Sequence, residues 1–303
     1  MCFIRVEIAL DKSLFKVGGM GMNVIELNNV SKKYKGFELK DISLVLPSGC
    51  IMGLIGENGA GKTTIIQLIL DMIGKDGGEI KIFDKDIHDT SNLIMEDIGV
   101  VFDELSLPND MTALQINTIM KNVYRNWDED KYKEYLERFD VDIHKKLKRL
   151  SRGNKMKVSI AVALSHNPKL LILDEATGGL DPVARDDIID IFMEFTRNEN
   201  HSILMSSHIV SDLEKACDYV AFLHKGRLIM CDEKDNLKDK YRIIKCSKDE
   251  FDTIPENAIV GKKVSNYGVS AMVEASSVPE GMITENITIE DLFIYFVREE
   301  RCK

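Results

Sequence analysis

Nine residues, Gly56-Glu57-Asn58-Gly59-Ala60-Gly61-Lys62-Thr63-Thr64, restrict this chain more than any other stretch. They follow G-x-x-x-x-G-K-[ST], the pattern of a loop that cradles phosphates. Such a loop needs a buried strand before it and a helix after it. Cys50-Ile51-Met52-Gly53-Leu54-Ile55 is an apolar run of strand length, and Ile65-Ile66-Gln67-Leu68-Ile69-Leu70 reads as the first turns of a buried helix. Gly56, Gly59 and Gly61, around Asn58, let backbone N–H groups face a polyphosphate with no Cβ in the way. The helix start adds unpaired donors and a positive dipole end. Lys62 is expected to reach the β- and γ-phosphates, the Thr63 hydroxyl to ligate Mg²⁺, and Thr64 to add a phosphate hydrogen bond.

The bulk composition narrows the function classes. With 303 residues the chain forms one large domain, or one with a small appendage. A net charge of −10 argues against a nucleic-acid binder that relies on a broad basic face. Six cysteines, at 2, 50, 217, 231, 246 and 302, show no C-x-x-C spacing. They read as reduced, packed thiols of a cytosolic protein, not as a disulfide framework or a zinc site. No apolar run approaches the length of a membrane span, so a membrane role has to come through a partner chain.

Taken in order, residues 1–21 are too mixed for a signal peptide, because Glu7, Asp11 and Lys12 follow Met1-Cys2-Phe3-Ile4 at once. Gly18-Gly19 ahead of Met20 and Met22 suggests that translation starts at Met22 and that 1–21 is a non-native leader or disordered. Val24–Leu27 and Phe37–Leu46 alternate as antiparallel strands. Between them, Ser31–Gly36 carries Tyr34, an aromatic placed to stack on a nucleobase. Gly77–Phe83 reads as a hairpin-like strand, and Ile98–Phe102 as a central strand ending in Asp103-Glu104. Helical spacing follows over 112–127 (Ala113, Ile116, Met120, Val123, Tyr124, Trp127) and again over Tyr132, Tyr135, Leu136 and Phe139. This charged block, about 104–166, reads as an inserted helical subdomain.

Leu150-Ser151-Arg152-Gly153-Asn154 leads into a helix through Ser165, which Pro168 stops. Leu170–Leu173 then runs into Asp174-Glu175. Two carboxylates at the carboxyl end of a parallel strand lie where such sheets bind ligands. Asp174 can hold the Mg²⁺ shell and Glu175 can polarise a water. Gly179-Leu180-Asp181-Pro182 opens a helix over 183–197, and Ser202–His208 is a strand ending in His208. Tyr219–Ile229 reads as a closing hairpin turning at Lys225-Gly226. After Asp232 the composition turns polar. Residues 235–303 read as a small α+β appendage with strands near Ile243, Ile259 and Ala271. Its last helix is capped at Thr288–Asp291 and carries Leu292, Phe293, Phe296 and Val297 on one face.

With these motifs in this order, residues 24–234 resemble the ATP-binding subunit of ABC transporters. The tail resembles, less specifically, the extra C-terminal region of some bacterial exporter ATPases. The resemblance implies a P-loop NTPase (RecA-like) α/β core over 22–234 with an antiparallel β subdomain and the inserted helices. It implies ATP and Mg²⁺ as ligands. Tyr34 matches the adenine-stacking aromatic, Glu175 the general base, and His208 the switch that senses the γ-phosphate. Ser151 and Gly153 match the signature that caps ATP bound by the other subunit, and Asp181 the loop that crosses the dimer interface. A second ATP-binding subunit and an integral membrane permease are then the partners, at the cytoplasmic face of the cell membrane. Two motifs depart from the usual pattern, at three residues. Asp103 stands where a glutamine is usual and is expected to remain an Mg²⁺ ligand. Arg152 and Asn154 stand in the L-S-G-G-Q signature. The readings kept open beside an exporter ATPase are a weakly hydrolysing half of an unequal pair and a non-transport ABC ATPase.

Overall fold

The structure, a computed structural model, describes residues 22–87, 95–104, 107–266, 268–279 and 281–302. The leader expected over 1–21 lies outside the described residues. The chain begins with an antiparallel pair, β1 (Asn23–Tyr34) and β2 (Phe37–Pro47), and runs into β3 (Ile51–Gly56) and α1 (Lys62–Ile69). β4 (Gly77–Ile82), β5 (Lys85–Asp86) and β6 (Ile98–Val101) precede the helices α2 (Ala113–Val123), α3 (Glu129–Arg138) and α4 (Arg152–Leu164). Strands and helices then alternate through β7 (Leu170–Asp174), α5 (Pro182–Phe195), β8 (Ser202–Ser206), α6 (Val210–Ala216), β9 (Tyr219–His224) and β10 (Arg227–Glu233). The tail holds α7 (Lys234–Lys240), β11 (Tyr241–Cys246), α8 (Lys248–Phe251), β12 (Ile259–Ser265), β13 (Gly268–Glu274), β14 (Thr284–Asn286) and α9 (Ile289–Cys302).

The strands form three sheets, ordered β2-β1-β4-β5, β10-β9-β3-β8-β7-β6 and β12-β13-β11-β14. The second sheet is parallel from β9 to β6, and every residue of β3, β7 and β8 is buried. That is why those strands read as unbroken apolar runs instead of alternating ones. Successive side chains still point to opposite faces. Met52, Leu54, Ile172 and Leu204 join the first sheet and α1 in one core, while Ile51, Ile55, Leu171, Leu173, Ile203 and Met205 join the helices in another. The molecule is therefore layered, with the parallel sheet between an antiparallel sheet and a helical face.

Three local expectations change. Ile98–Phe102 is not central: among the described residues β6 is an edge strand of its sheet and pairs there with β7 alone. Its apolar residues are covered from one side by α4, which comes so close that a Cβ on Gly99 would lie 2.5 Å from Ala163 O. Ser31–Tyr34 is not a connection, because β1 continues past bulges to pair Tyr34 with Phe37. The helix expected over 112–127 stops at Val123. Tyr124 instead stacks on His166 with ring centroids 4.0 Å apart, and Trp127 Nε1 donates to Asn117 Oδ1 at 2.8 Å.

Candidate nucleotide-binding site

Three strands end side by side. Leu54 of β3 and Asp174 of β7 both stand in register with Ser206 of β8. The Gly56–Thr64 loop, Asp174-Glu175 and Ser206–His208 thus gather at the carboxyl edge of the parallel sheet, the edge at which such sheets bind ligands.

The loop is built for close approach. Gly59 and Gly61 have φ of +79° and +112°, a region that costs glycine nothing. A Cβ on Gly61 would sit 2.9 Å from both Phe37 Cζ and Leu39 Cδ1, and one on Gly56 would sit 2.6 Å from Leu223 O. Asn58 is exposed at the crest. α1 starts at Lys62 with no side-chain cap and no acidic residue in its first turn. Its first N–H groups and its positive end are therefore left for an anion. Thr64 is half-buried two residues into that helix.

Side chains from the three strand ends interlock. Lys62 is buried, and its Nζ donates to Gly56 O at 2.8 Å and lies 3.5 Å from Glu175 Oε1. Thr63 Oγ1 donates to Asp174 Oδ2 at 2.8 Å, and Ser206 Oγ donates to Asp174 Oδ1 at 2.6 Å. Glu175 adopts φ +54°, an uncommon region for a residue with a side chain. Its N–H reaches Ser206 O and Ser206 Oγ, both at 3.1 Å, and its Oε2 accepts the His208 N–H at 3.1 Å and faces His208 Nδ1. Ser206 is a residue that sequence reasoning missed. The signal available was a hydroxyl closing an apolar run, but its place beside Asp174 depends on strand register.

A second group forms where α4 and α5 begin. Ser151 Oγ accepts the Asn154 N–H at 3.2 Å, capping α4, and Asp181 accepts the Ala184 N–H at 3.0 Å, capping α5. The bond from Ala184 holds the Asp181 carboxyl below the usual carboxylate range. Gly153 fits between them, since a Cβ there would lie 3.2 Å from Gly179 O. Among the described residues no hydrogen bond or ion pair links this group to Lys62, Thr63 or Thr64. Tyr34 ends β1, 42% exposed, with Lys32 Nζ 5.6 Å from its ring centroid. Asp76 fixes this corner by accepting from the Lys33 N–H at 2.7 Å and Lys32 Nζ at 3.2 Å.

Asp103, expected as a metal ligand, lies in the loop after β6. Its Oδ1 accepts from Arg152 Nη2, and among the described residues no three of His, Cys, Asp or Glu converge as a metal centre. The donors that do meet, the Thr63 hydroxyl and the Asp174 carboxylate, are hard oxygens. They suit Mg²⁺, which takes one or two protein ligands and completes its shell with phosphate and water.

Comparison with known proteins agrees with this geometry. The family model for ABC transporters matches residues 39–178. The ABC transporter ATP-binding protein YtrB of Bacillus subtilis (strain 168) is 32% identical over 231 residues, which cover 76% of this chain and 78% of that protein. The lantibiotic transport ATP-binding protein SrtF of Streptococcus pyogenes is 33% identical over 218 residues, covering 70% and 92%. The solved structure of an ATP binding subunit of an ABC transporter superposes with a TM-score of 0.63 at 26% identity, over 71% of this chain and 92% of that one. The fold is also that of a dimeric post-hydrolysis cassette, MJ0796 bound to ADP and Pi, with a TM-score of 0.63 at 23% identity over 69% and 98%. Phosphate loop, paired carboxylates and relatives together make this chain a member of the ABC transporter family, an ATP-binding and ATP-hydrolysing subunit.

Proposed function

We propose that the subunit powers an ABC exporter by closing with a second ATP-binding subunit, a copy of itself or a related chain, around two ATP molecules. Tyr34 stacks on adenine. Lys62, Thr64 and the loop N–H groups, with Gly56, Asn58, Gly59 and Gly61 leaving room, hold the phosphates. Thr63 and Asp174 hold Mg²⁺, which when bound offsets phosphate charge. Glu175 orients the attacking water and takes its proton, and His208 fixes Glu175 and reads the γ-phosphate. Ser151 and Gly153 cap the nucleotide of the other subunit, with Asp181 at the crossing. The γ-phosphate makes contacts in the closed pair that ADP cannot, and this difference in affinity drives closure and lets hydrolysis reverse it.

A membrane permease converts closing and opening into alternating access, holding the subunit at the cytoplasmic face. Among the described residues no helix is long and apolar enough to cross a membrane. The face near Asp103 and the 112–140 helices is the docking place. Export is supported by the tail after residue 234. Cargo carried away from the subunit's side of reconstituted vesicles is expected, and movement towards that side would reverse the direction proposed.

The observation that carries the reading is the double hold on Glu175, with Oε1 3.5 Å from Lys62 Nζ and Oε2 on His208. A single carboxylate is thereby placed between the phosphate-binding lysine and the switch histidine. Glu175→Gln is expected to bind ATP normally and to turn it over about 100-fold more slowly or worse. Turnover near that of the natural chain would remove Glu175 from the role of base.

A further inference from the structure

The side chains of Asp103 and Arg152 face each other. Arg152 Nη2 donates to Asp103 Oδ1, tying the start of α4 to the loop after β6. The side chains are 63% and 46% exposed, so water screens the pair and it adds little to the stability of the fold. The surrounding backbone nevertheless accommodates it. Gly179, at φ +80°, lies so close that a Cβ there would stand 3.1 Å from Arg152 Cδ and 3.3 Å from its Nε. A Cβ on Gly178 would stand 3.9 Å from Asp103 Oδ1. The loop after β6, the start of α4 and the turn before Asp181 therefore meet at one guanidinium. It offers five N–H donors, it stands next to Ser151 at the start of α4, whose first turn holds no acidic residue, and it is mostly in solvent.

We propose that Asp103 is a positioning residue that parks Arg152 on its own subunit, and that Arg152 leaves it on closure to grip the terminal phosphate of the nucleoside triphosphate held by Lys62 of a second copy. This rests on the two-subunit reading above. The exchange is favoured by charge and shape. Arg152 gives up one carboxylate for a more highly charged polyphosphate that accepts its planar fork in two places. A diphosphate has no terminal group at that point, so Arg152 returns to Asp103. The pair thus contributes to the difference in affinity between the triphosphate and diphosphate states that closure requires.

The test is ATP-dependent dimerisation of the full chain, followed by sedimentation in a Glu175→Gln background with Mg²⁺ present. The parent is expected to dimerise with ATP and not with ADP. Adding Asp103→Asn lowers the ATP needed for half-dimerisation about 5-fold, adding Arg152→Gln raises it about 10-fold, and Asp103→Asn has no further effect once Arg152 is replaced. An equal effect of Asp103→Asn with and without Arg152, or a shift in the Mg²⁺ requirement in its place, would show Asp103 acting on the metal and overturn the proposal. So would an unchanged midpoint in Arg152→Gln. A parent that stays monomeric at every ATP concentration would instead overturn the two-subunit reading itself, and the parking of Arg152 with it. Both side chains are exposed, and unchanged thermal midpoints in the variants exclude a folding defect.

Discussion

At the scale of single residues, one hydroxyl links the two acidic groups of the site. Ser206 Oγ donates to Asp174 at 2.6 Å and accepts the N–H of Glu175 at 3.1 Å. Ser206→Ala leaves Thr63 on Asp174 and leaves the Ser206 carbonyl on the Glu175 N–H. The fold should therefore lose only about 1 kcal/mol. Catalysis should suffer more, because Glu175 sits at a backbone angle that its neighbours have to enforce. We expect kcat to fall about 10-fold with KM for ATP nearly unchanged, the pattern of a contact that matters mainly in the transition state. Steady-state ATPase assays check this, and an unaltered kcat would leave the hydroxyl a structural detail. Ser206 also shows what a sequence conceals. Lys62, Thr63, Asp174 and Glu175 announce themselves by local spacing. Ser206 joins them only through the register between β7 and β8, which no local pattern specifies. The pairing of Asp103 with Arg152 is hidden for the same reason, since nothing near Asp103 in sequence reveals Arg152 across the gap.

At the scale of elements, α4 shows how a helix start and a helix end do different work. Its start at Ser151 and Arg152 belongs to the proposed site of the second subunit, and its end packs on β6. His166, just past the helix, is buried with Nδ1 3.3 Å from Val162 O and Nε2 3.2 Å from Ile98 O, under the ring of Tyr124. Burial pushes its pKa below the usual 6.5 and outweighs the two carbonyls, which favour the proton. His201 is pushed down by burial in the same way. A histidine with a lowered pKa in the folded chain binds fewer protons than in the unfolded one. Its contribution is present above about pH 6.5 and is lost as pH falls from there towards the folded-state value. The thermal midpoint should therefore drop as pH falls below about 6.5, and His166→Gln should flatten that slope. An identical slope in the variant would assign the acid sensitivity elsewhere. The sequence displayed α4 as a helix from Leu150 to Ser165, but it could not show β6 as an edge strand. A short apolar run reads the same whether its cover is a neighbouring strand or a helix.

At the scale of the whole molecule, hydrophobic contacts run across the break in composition that follows Asp232. One face of the third sheet, with Ile244, Ala271 and Val273, closes a small core of its own with Phe251 and Ile254. The opposite face, with Tyr241, Ile243 and Met272, belongs to the same core as Phe222 of β9 and Leu292, Phe296 and Val297 of α9. The rings of Phe293 and Phe296 lie 5.7 Å and 6.1 Å from that of Phe222. Glu214 of α6, six residues beyond His208, accepts the Ile289 N–H at 2.9 Å and pairs with Lys238. The polar average of the tail hides this, because the apolar stripe of α9 is short and its partner, β9, is remote in sequence. Cutting the chain after residue 234 would uncover Phe222, which has no exposure in the full chain, and would leave Glu214 without either partner. Each large apolar side chain so exposed costs about 1.5–3 kcal/mol. A chain of residues 22–234 should therefore melt about 10 °C or more below the full chain, and Phe296→Ala in the full chain should lower the midpoint in the same direction. If the shortened chain melted at the full chain's midpoint with equal cooperativity, the tail would be an independent unit and its helix would play no part in holding the ATP-binding core.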